Sequence, residues 1–215
     1  MDKPIESFLY TTKTGGVRTI EIVFDPDPVN PQRDYDVATH MVCWHGRQDL
    51  GNETNYRLKD ISPDETQAYL ELTEGELILA ILPLYLLHHS GMTISTTPFN
   101  DRWDSGQVGW AYVTKSQADV MGFDLSHDSK TVLEDAIRAD VECYNMYLHG
   151  SCYGYRIIGA DGSLIDSCWG MLGSTDDCRN EARAAAEHSV DPAVTRMVEE
   201  LSARATYASN GTETV

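Results

Sequence analysis

The chain has 215 residues, of which 41% are hydrophobic and 23% are charged, and these proportions are typical of a folded protein rather than a disordered one. Thirty-four acidic side chains against sixteen basic ones give a formal net charge of −18. Such a charge repels a phosphate backbone, so direct nucleic-acid binding is not expected and a basic protein is the favoured partner. Plain solubility, or adaptation to a high-salt environment, would produce the same charge.

The amino-acid sequence shows neither a targeting signal nor a disulfide pattern. The N-terminal segment MDKPIESFLY lacks the basic and apolar regions of a secretion signal. The longest apolar run, Leu77 to Leu87, is about half as long as a membrane-spanning helix requires. Five scattered cysteines without a C-x-x-C pair do not resemble a disulfide framework. We therefore expect a cytoplasmic protein with reduced thiols and no membrane partner.

The first half of the chain predicts strands around one short helix. The predicted strands are Val17 to Phe24, Tyr35 to His45 and Glu76 to Leu87, and the predicted helix is Ser62 to Leu72. Ser62 and Glu65 have the spacing of a capping box at the start of this helix. The third strand is apolar on both faces, which favours the middle of a sheet, although its Pro83 favours a bulge or an edge position.

The second half predicts one further strand, a hairpin and four helices. The strand is Gly109 to Thr114, the hairpin joins GYRIIGA to SLIDSCW, and the helices are 116–121, 129–148, 176–188 and 192–205. Helix 129–148 is the longest and places Leu133, Ile137 and Val141 on one face. In the hairpin, an Asp-Gly turn sets Ile157 opposite Asp166.

These elements predict an α+β fold with a mostly antiparallel sheet of about five to seven strands. One long helix packs across the sheet, and a helical pair follows at the C-terminus. The predicted organisation is an α+β core domain over residues 1–173, a helical appendage over 174–207 and a flexible tail over 208–215.

Histidines and cysteines raise the possibility of a metal site. Cys43 and His45 are two apart on a predicted strand and share a face, a spacing that could hold zinc. No further ligands with a recognised spacing accompany them, so we predict no metal and no cofactor. His88 and His89 are adjacent and point to opposite faces of a strand, which leaves only His89 as a candidate for a shared site.

A catalytic role is one alternative for the polar segment between the predicted strands Glu76 to Leu87 and Gly109 to Thr114. His89 as a base, Asp104 as its carboxylate partner and Gln107 form a polar strip. Asp166 or Cys168 from the hairpin could join it. A small hydrolase or nucleotide-processing enzyme using this strip is the alternative function. No nucleophile elbow or phosphate-binding loop supports it.

Acidic side chains form two groups along the sequence. The first surrounds a proline-rich loop and consists of Asp25, Asp27, Asp34 and Asp36. The second consists of Glu71, Glu74 and Glu76. Spaced carboxylates on a rigid scaffold can imitate a row of phosphates and occupy a basic groove.

Four segments resemble a widespread family of small proteins, of unassigned function, encoded by bacteriophages, plasmids and integrated elements. They are MVCWH with DLG, LPLY followed by HSG, WDSGQVG, and DSCWG. The similarity covers residues 17–173 in the same order. The chain departs from the family pattern at His88, where an acid commonly precedes HSG, and at Gly46, where a basic residue commonly follows C-x-H.

The resemblance implies an accessory protein of a mobile element, acting in the host cytoplasm. The site residues that it implies are Cys43, His45, His89, Ser90, Trp103, Asp104, Ser105, Gln107, Asp166, Cys168 and Trp169. Our leading hypothesis is binding and inhibition of a host nucleic-acid-directed defence, of the anti-CRISPR or anti-restriction type, through the acidic surface. The partner would be a basic host protein or nucleoprotein complex. The alternatives are the enzyme described above and a virion or assembly component.

Overall fold

The computed structural model of the chain describes residues 3–45, 47–52, 62–89, 91–126 and 129–210. Eight strands and six helices lie along these segments. In chain order they are β1 (Glu6–Thr11), β2 (Val17–Phe24), α1 (Pro31–Asp34), β3 (His40–Cys43), α2 (Pro63–Glu74), β4 (Ile78–His88), β5 (Met92–Ser95), β6 (Ser105–Thr114), α3 (Lys115–Val120), α4 (Ser129–Leu148), β7 (Cys152–Ile158), β8 (Leu164–Leu172), α5 (Thr175–His188) and α6 (Pro192–Asn210).

The chain divides into two compact units. The terminal unit consists of Met1–Asp27 together with Cys152–Val215, and the central unit is Pro28–Ser151. This division differs from the predicted one into residues 1–173 and 174–207. The reason is that β2 pairs with β7 and α5 packs on the same sheet, so the N-terminal strands and the helix α5 form one structure. Of the predicted tail, residues 208–210 continue α6 and 211–215 lie outside the described residues.

The terminal unit contains an antiparallel sheet of four strands in the order β1-β2-β7-β8. Its core is formed by Ile20, Ile22 and Ile157, which pack against the small buried side chains of α5. The β7–β8 hairpin has the predicted register, with Ile157 opposite Asp166. The tight turn predicted at Asp161-Gly162 is wrong, because Ile158 pairs with Leu164 and the backbone N–H of Gly159 donates to the carbonyl of Ser163 at 2.8 Å, which makes the loop longer than two residues.

The central unit contains a second antiparallel sheet, in the order β3-β6-β4-β5. Helix α4 packs on it through the predicted face of Leu133, Ile137 and Val141, all buried. Strand β4 lies between β6 and β5, but β5 pairs only with residues 85–88. In the described ladders Pro83 therefore pairs with Trp110 of β6 and has no partner strand on its other side, which is the predicted edge position in local form. A register shift between Leu84 and Tyr85 follows directly.

The α+β fold, the mostly antiparallel pairing, the long packed helix and the C-terminal helical pair are therefore confirmed. The prediction of a single sheet is wrong, because the strands form two sheets of four. The predicted strand 35–45 is also too long. Before β3 the backbone N–H of Thr39 donates to the carboxylate of Asp140 in α4 at 3.1 Å and not to a strand, and β3 extends only from His40 to Cys43. In the described part of the chain, no helix is long and apolar enough to cross a membrane.

Two side chains of α4 hold the loops and the edge of the central sheet in place. The hydroxyl of Tyr144, which is buried, accepts a hydrogen bond of 2.8 Å from the backbone N–H of Gly51. The amide of Asn145 makes two hydrogen bonds with the backbone of Ile94 in β5, accepting its N–H at 2.7 Å and donating to its carbonyl at 2.6 Å. The helix thereby pairs with the outer edge of the sheet in the way that another strand would.

Candidate functional site

Polar side chains converge at one end of the central sheet, where β4 ends and β6 begins. Leu87 pairs with Ser105 in the ladder, and the backbone N–H of His88 donates to the carbonyl of Asp104 at 2.8 Å. Strand β3 ends on the other side of β6, with Cys43 paired with Gly109. The residues that follow β4 and β3 and precede β6 are therefore brought to one place.

An open pocket of about 310 Å³ lies at this end and is called the histidine pocket below. It is lined by His45, Leu86, His88, Trp103, Asp104, Ser105, Gly106 and Val108. Leu86 and Val108 belong to the hydrophobic core of the central unit. The pocket thus combines an apolar part with histidine and carboxylate groups, a common composition for small-molecule sites.

His89 and Asp104 form a side-chain pair beside the pocket. The Nδ1 atom of His89 and the Oδ2 atom of Asp104 are 2.9 Å apart. The two side chains are 72% and 44% exposed, so solvent screens the interaction. A carboxylate on Nδ1 orients the imidazole and leaves Nε2 free to exchange a proton with a bound molecule, which is the arrangement of a general base.

His45 and His88 face each other in the pocket, with ring centroids 6.3 Å apart in an edge-on geometry. The Nδ1 atom of His45 accepts the backbone N–H of Gln48 at 3.0 Å, so the neutral ring carries its proton on Nε2. Burial lowers the pKa of His45, and the neighbouring His88 and Arg47 lower it further. Since this favours the neutral form, His45 offers an N–H donor at neutral pH.

Only one of the adjacent histidines, His88, is among the residues that line the pocket, whereas the prediction chose His89. His89 lies outside this lining but is paired with Asp104, which belongs to it. The prediction treated both residues as part of one continuous strand. Strand β4 ends at His88, so alternation no longer determines the direction of the next side chain.

A short loop presents Trp103 to solvent next to the pocket. The carboxylate of Asp101 accepts the backbone N–H groups of Trp103 at 2.8 Å and Asp104 at 3.0 Å, and the Ser105 hydroxyl donates to the Asp101 carbonyl. These N–H donors lower the pKa of Asp101. Trp103 is 95% exposed, which leaves both faces of its indole free to stack on a flat ligand.

Other candidate residues take different places in the central unit. Gln107 lies in β6 and donates its amide to the carbonyl of Gly109 at 3.3 Å. It is not among the residues that line the pocket. Ser90 and Gly46, which the resemblance singles out, lie outside the described residues.

The remaining residues of the candidate strip belong to the terminal unit. They are Asp166, Cys168 and Trp169, all on β8. The Asp166 carboxylate accepts the backbone N–H of Ser167 at 2.8 Å, and Cys168 is exposed. The ring of Trp169 lies against Gly154, where a methyl group would have no space.

The first acidic group is divided between the units. Asp25 and Asp27 belong to the terminal unit, and Asp34 and Asp36 to the central unit, where both are exposed. The Asp25 carboxylate accepts the N–H of Gly170 at 2.8 Å and that of Asp27 at 3.0 Å. Asp25 therefore shapes a loop, and its carboxylate is partly used within the unit.

Cys43 is unsuited to nucleophilic chemistry. It packs against the core of the central unit, and burial raises the pKa of its thiol to about 12. Since the thiolate is the reactive form, the thiol is inert at neutral pH.

We expect iodoacetamide at pH 8 to label the exposed Cys168 and to leave Cys43 unmodified. Peptide mass spectrometry after a short reaction measures the labelled fraction at each site. The same reaction in 6 M guanidinium is the control and should label both. Equal labelling of both cysteines in the folded protein would contradict the protonated state of Cys43, which is only partly exposed.

Cys43 and His45 have a spacing on the sequence that could hold zinc. Within the part of the chain that the structure describes, no three His, Cys, Asp or Glu side chains are grouped so that they could hold a metal ion. Chemically, the arrangement at the histidine pocket can accept or donate a proton and can stack a planar group.

No protein-family model matches the chain, and neither a curated protein nor a solved structure matches it.

Proposed function

We propose that the chain is a binding protein whose acidic surface occupies a basic site on a partner protein. The observation that carries this proposal is the charge of the central unit, which holds 19 acidic against 8 basic side chains in its sequence. A unit with this charge attracts basic surfaces, accelerates encounter with them and repels nucleic acid. The second part of the proposal is the setting: an accessory protein of a phage or mobile element that inhibits a nucleic-acid-directed host defence. The motif resemblance supports this setting.

Carboxylates gather at the end of the central sheet opposite the histidine pocket, where β4 begins and β6 ends. This group, called the acidic end below, consists of Glu74, Glu76 and Asp119. Glu74 accepts the hydroxyl of Tyr112 at 3.1 Å, and Glu76 accepts the hydroxyl of Ser116. Glu74 and Glu76 are held by neutral donors, so each keeps its full charge while losing much of its freedom to move. Asp119 is instead paired with Lys115 at 2.6 Å.

Apolar side chains accompany these carboxylates. Leu72 near the end of α2 is 83% exposed, and Leu77 just before β4 is also exposed. Leu77 is close to the group, since its carbonyl accepts the backbone N–H of Lys115 at the start of α3. Protein interfaces combine apolar contacts, which provide affinity, with charges that select the partner. The acidic end has both.

Neutralising the acidic end by Glu74→Gln and Glu76→Gln is expected to weaken inhibition about tenfold, or about 1.4 kcal/mol. Glutamine keeps the hydrogen bonds to Tyr112 and Ser116 but removes both charges. The measurement is the concentration that half-inhibits DNA cleavage by a panel of restriction nucleases and RNA-guided nucleases. For the wild type, inhibition should decline as NaCl rises from 0.05 to 0.5 M, because salt screens the charges.

The matched control is Glu199→Gln with Glu200→Gln, which makes the same chemical change on exposed residues of α6 in the terminal unit. It should inhibit as the wild type does. Equal loss in both double variants would mean that only net charge matters, and inhibition that is unchanged at 0.5 M NaCl would rule out the acidic mechanism.

If no nuclease in the panel is inhibited, the defence role is rejected. A stoichiometric place in purified phage particles would instead favour the assembly alternative.

A hydrolase remains a second candidate because of one observation, the 2.9 Å pair of His89 and Asp104 beside the histidine pocket. In this role the imidazole removes a proton from water, and the carboxylate stabilises the resulting imidazolium. The negative field of the central unit disfavours anionic substrates, so a neutral ester or amide with a planar group that stacks on Trp103 is the expected class.

If the chain is a hydrolase, Asp104→Asn should lower the rate about 30-fold, or about 2 kcal/mol, because the amide no longer stabilises the imidazolium. Hydrolysis of p-nitrophenyl acetate is the measurement, and bis-p-nitrophenyl phosphate is the anionic comparison. Asp119→Asn, at the other end of the sheet, is the control and should have no effect. The enzyme candidate is rejected if purified wild-type protein hydrolyses neither compound faster than buffer does.

A further inference from the structure

His40 lies at the acidic end of the central sheet, together with Glu74 and Glu76. It is the first residue of β3 and pairs with Tyr112 near the end of β6. The two rings are stacked, with centroids 5.4 Å apart and an angle of 28° between their planes. The hydroxyl of Tyr112 donates to the carboxylate of Glu74 at 3.1 Å. The imidazole of His40 and the carboxylate of Glu74 therefore contact the same tyrosine side chain.

The imidazole of His40 is neutral at neutral pH. Residues two apart on a strand share a face, and Val42 packs in a core cluster with Leu70 of α2, so His40 lies on the face that α2 covers. The residue is half-buried. Burial lowers the pKa of His40, and the carboxylates of Glu74 and Glu76 raise it by less. The imidazole therefore gains its proton only in mildly acidic solution.

Glu76 remains ionised while His40 takes up its proton. Hydrogen bonds from the side chains of Ser116 and Thr114 lower the pKa of Glu76, and the charge of a protonated His40 lowers it further. In mildly acidic solution the acidic end therefore holds an imidazolium cation near an ionised carboxylate.

Other charged groups near His40 belong to the described helices α3 and α4. Lys115 and Asp119 of α3 are paired at 2.6 Å, so their charges largely cancel. Asp140 of α4 lies on the opposite face of the sheet, where it accepts the backbone N–H of Thr39 at 3.1 Å, and burial raises its pKa. Because Asp140 could also take up a proton, every variant in the test retains it.

We infer that His40 makes the acidic end release a basic partner in mildly acidic solution. A proton on the imidazole places a positive charge near Glu74 and Glu76, which repels the cations of the partner. A bound cation in turn lowers the pKa of His40, because the effects of proton and partner on each other are reciprocal. Affinity is therefore greatest above the pKa of His40 and declines as the pH falls through it. This role rests on the proposed function of the acidic end.

The probe is a fluorescently labelled amphipathic peptide of leucine and lysine, which supplies the apolar and basic groups that suit the acidic end. Its lysines keep their charge over the range measured. Fluorescence anisotropy at constant ionic strength gives Kd at pH 8.0 and pH 5.5, and wild-type binding should be about fivefold weaker at pH 5.5. Glu74→Gln with Glu76→Gln should weaken binding at pH 8.0, which locates the peptide at this end.

Two histidine variants separate His40 from the other histidines of the chain. His40→Phe keeps an aromatic ring on Tyr112 but cannot take up a proton, so it should lose most of the pH dependence. His188→Phe, an exposed change on α5 in the terminal unit, is the matched control and should keep it. NMR titration of the His40 ring in the wild type needs no variant, and saturating peptide should lower the pKa of His40.

The outcomes distinguish the role of His40 from the proposed function. Absence of peptide binding at pH 8.0, or undiminished binding by Glu74→Gln with Glu76→Gln, would reject both. Binding at this end with the same pH dependence in His40→Phe as in the wild type would reject the role of His40 alone. So would a pKa of His40 that the bound peptide leaves unchanged.

Discussion

Gly109→Ala is expected to destabilise the central unit by about 3 kcal/mol or more. Gly109 lies in the interior strand β6, paired with Cys43 on one side and Leu84 on the other. A Cβ at this position would lie well inside 3.0 Å of the Val42 carbonyl oxygen and 3.1 Å from the Cys43 sulfur. A backbone carbonyl in a paired strand cannot move away, so β3 and β6 must separate.

Urea unfolding followed by circular dichroism measures this effect. The matched control is Gly106→Ala in the same strand, where an added Cβ meets nothing within 4 Å and which should change stability by less than about 0.5 kcal/mol. Similar stabilities for the two alanine variants would contradict the close approach of β3 to β6. Because β3 leads directly to His45, Gly109→Ala should also disturb the histidine pocket.

Asn145→Leu is expected to cost about 3 kcal/mol, although leucine is close to asparagine in size and more apolar. The substitution leaves the N–H and the carbonyl of Ile94, a residue that is 1% exposed, without the partner that α4 now provides. Each unsatisfied buried backbone group costs about 1–3 kcal/mol, which exceeds the gain from burying leucine.

Two measurements check the role of Asn145. Urea unfolding gives the loss of stability, and hydrogen exchange of the Ile94 amide reports the lost bond directly. Glu142→Ala, an exposed change on the same helix, should leave both unaffected. If Asn145→Leu is as stable as the wild type and the Ile94 amide stays protected, the helix does not secure the strand in the way described.

The elements that the sequence predicted well are those whose pattern is local. Helix α4 has the predicted ends because its apolar residues repeat over twenty positions. Strand β2 has the predicted ends because VRTIEIVF alternates and is followed by prolines. The capping box of Ser62 and Glu65 is present at the start of α2.

Sheet membership and two strands were not predicted, for physical reasons. Strand β2 pairs with β7, so that Phe24 lies opposite Tyr153 far along the chain, and periodicity carries no information about such partners. Strand β5 has only four residues and depends on Asn145 for its outer edge. Strand β1 alternates, but its exposed Leu9 obscures the pattern.

The sequence predicted which residue types form the candidate site better than it predicted how those residues are arranged in space. The residues His89, Asp104 and Trp103 stand out in the sequence as polar or aromatic groups after an apolar strand. Their meeting requires the pairing of β4 with β6, and because β5 lies between these strands along the chain, that pairing is not a local feature of the sequence. The contribution of His88 depends on the residue at which β4 ends, and strand ends are the least predictable feature of a sequence.

The order of the chain has a consequence for how the protein is made. The central unit is continuous in sequence, whereas the terminal unit needs both Met1–Asp27 and the residues from Cys152 onward. During synthesis the β1–β2 hairpin emerges before the central unit, and a two-stranded hairpin is marginal on its own. It must wait for β7 and α5 while the central unit is translated and can already fold. Premature release of the nascent chain before Cys152 would therefore leave a complete central unit carrying an unpaired hairpin.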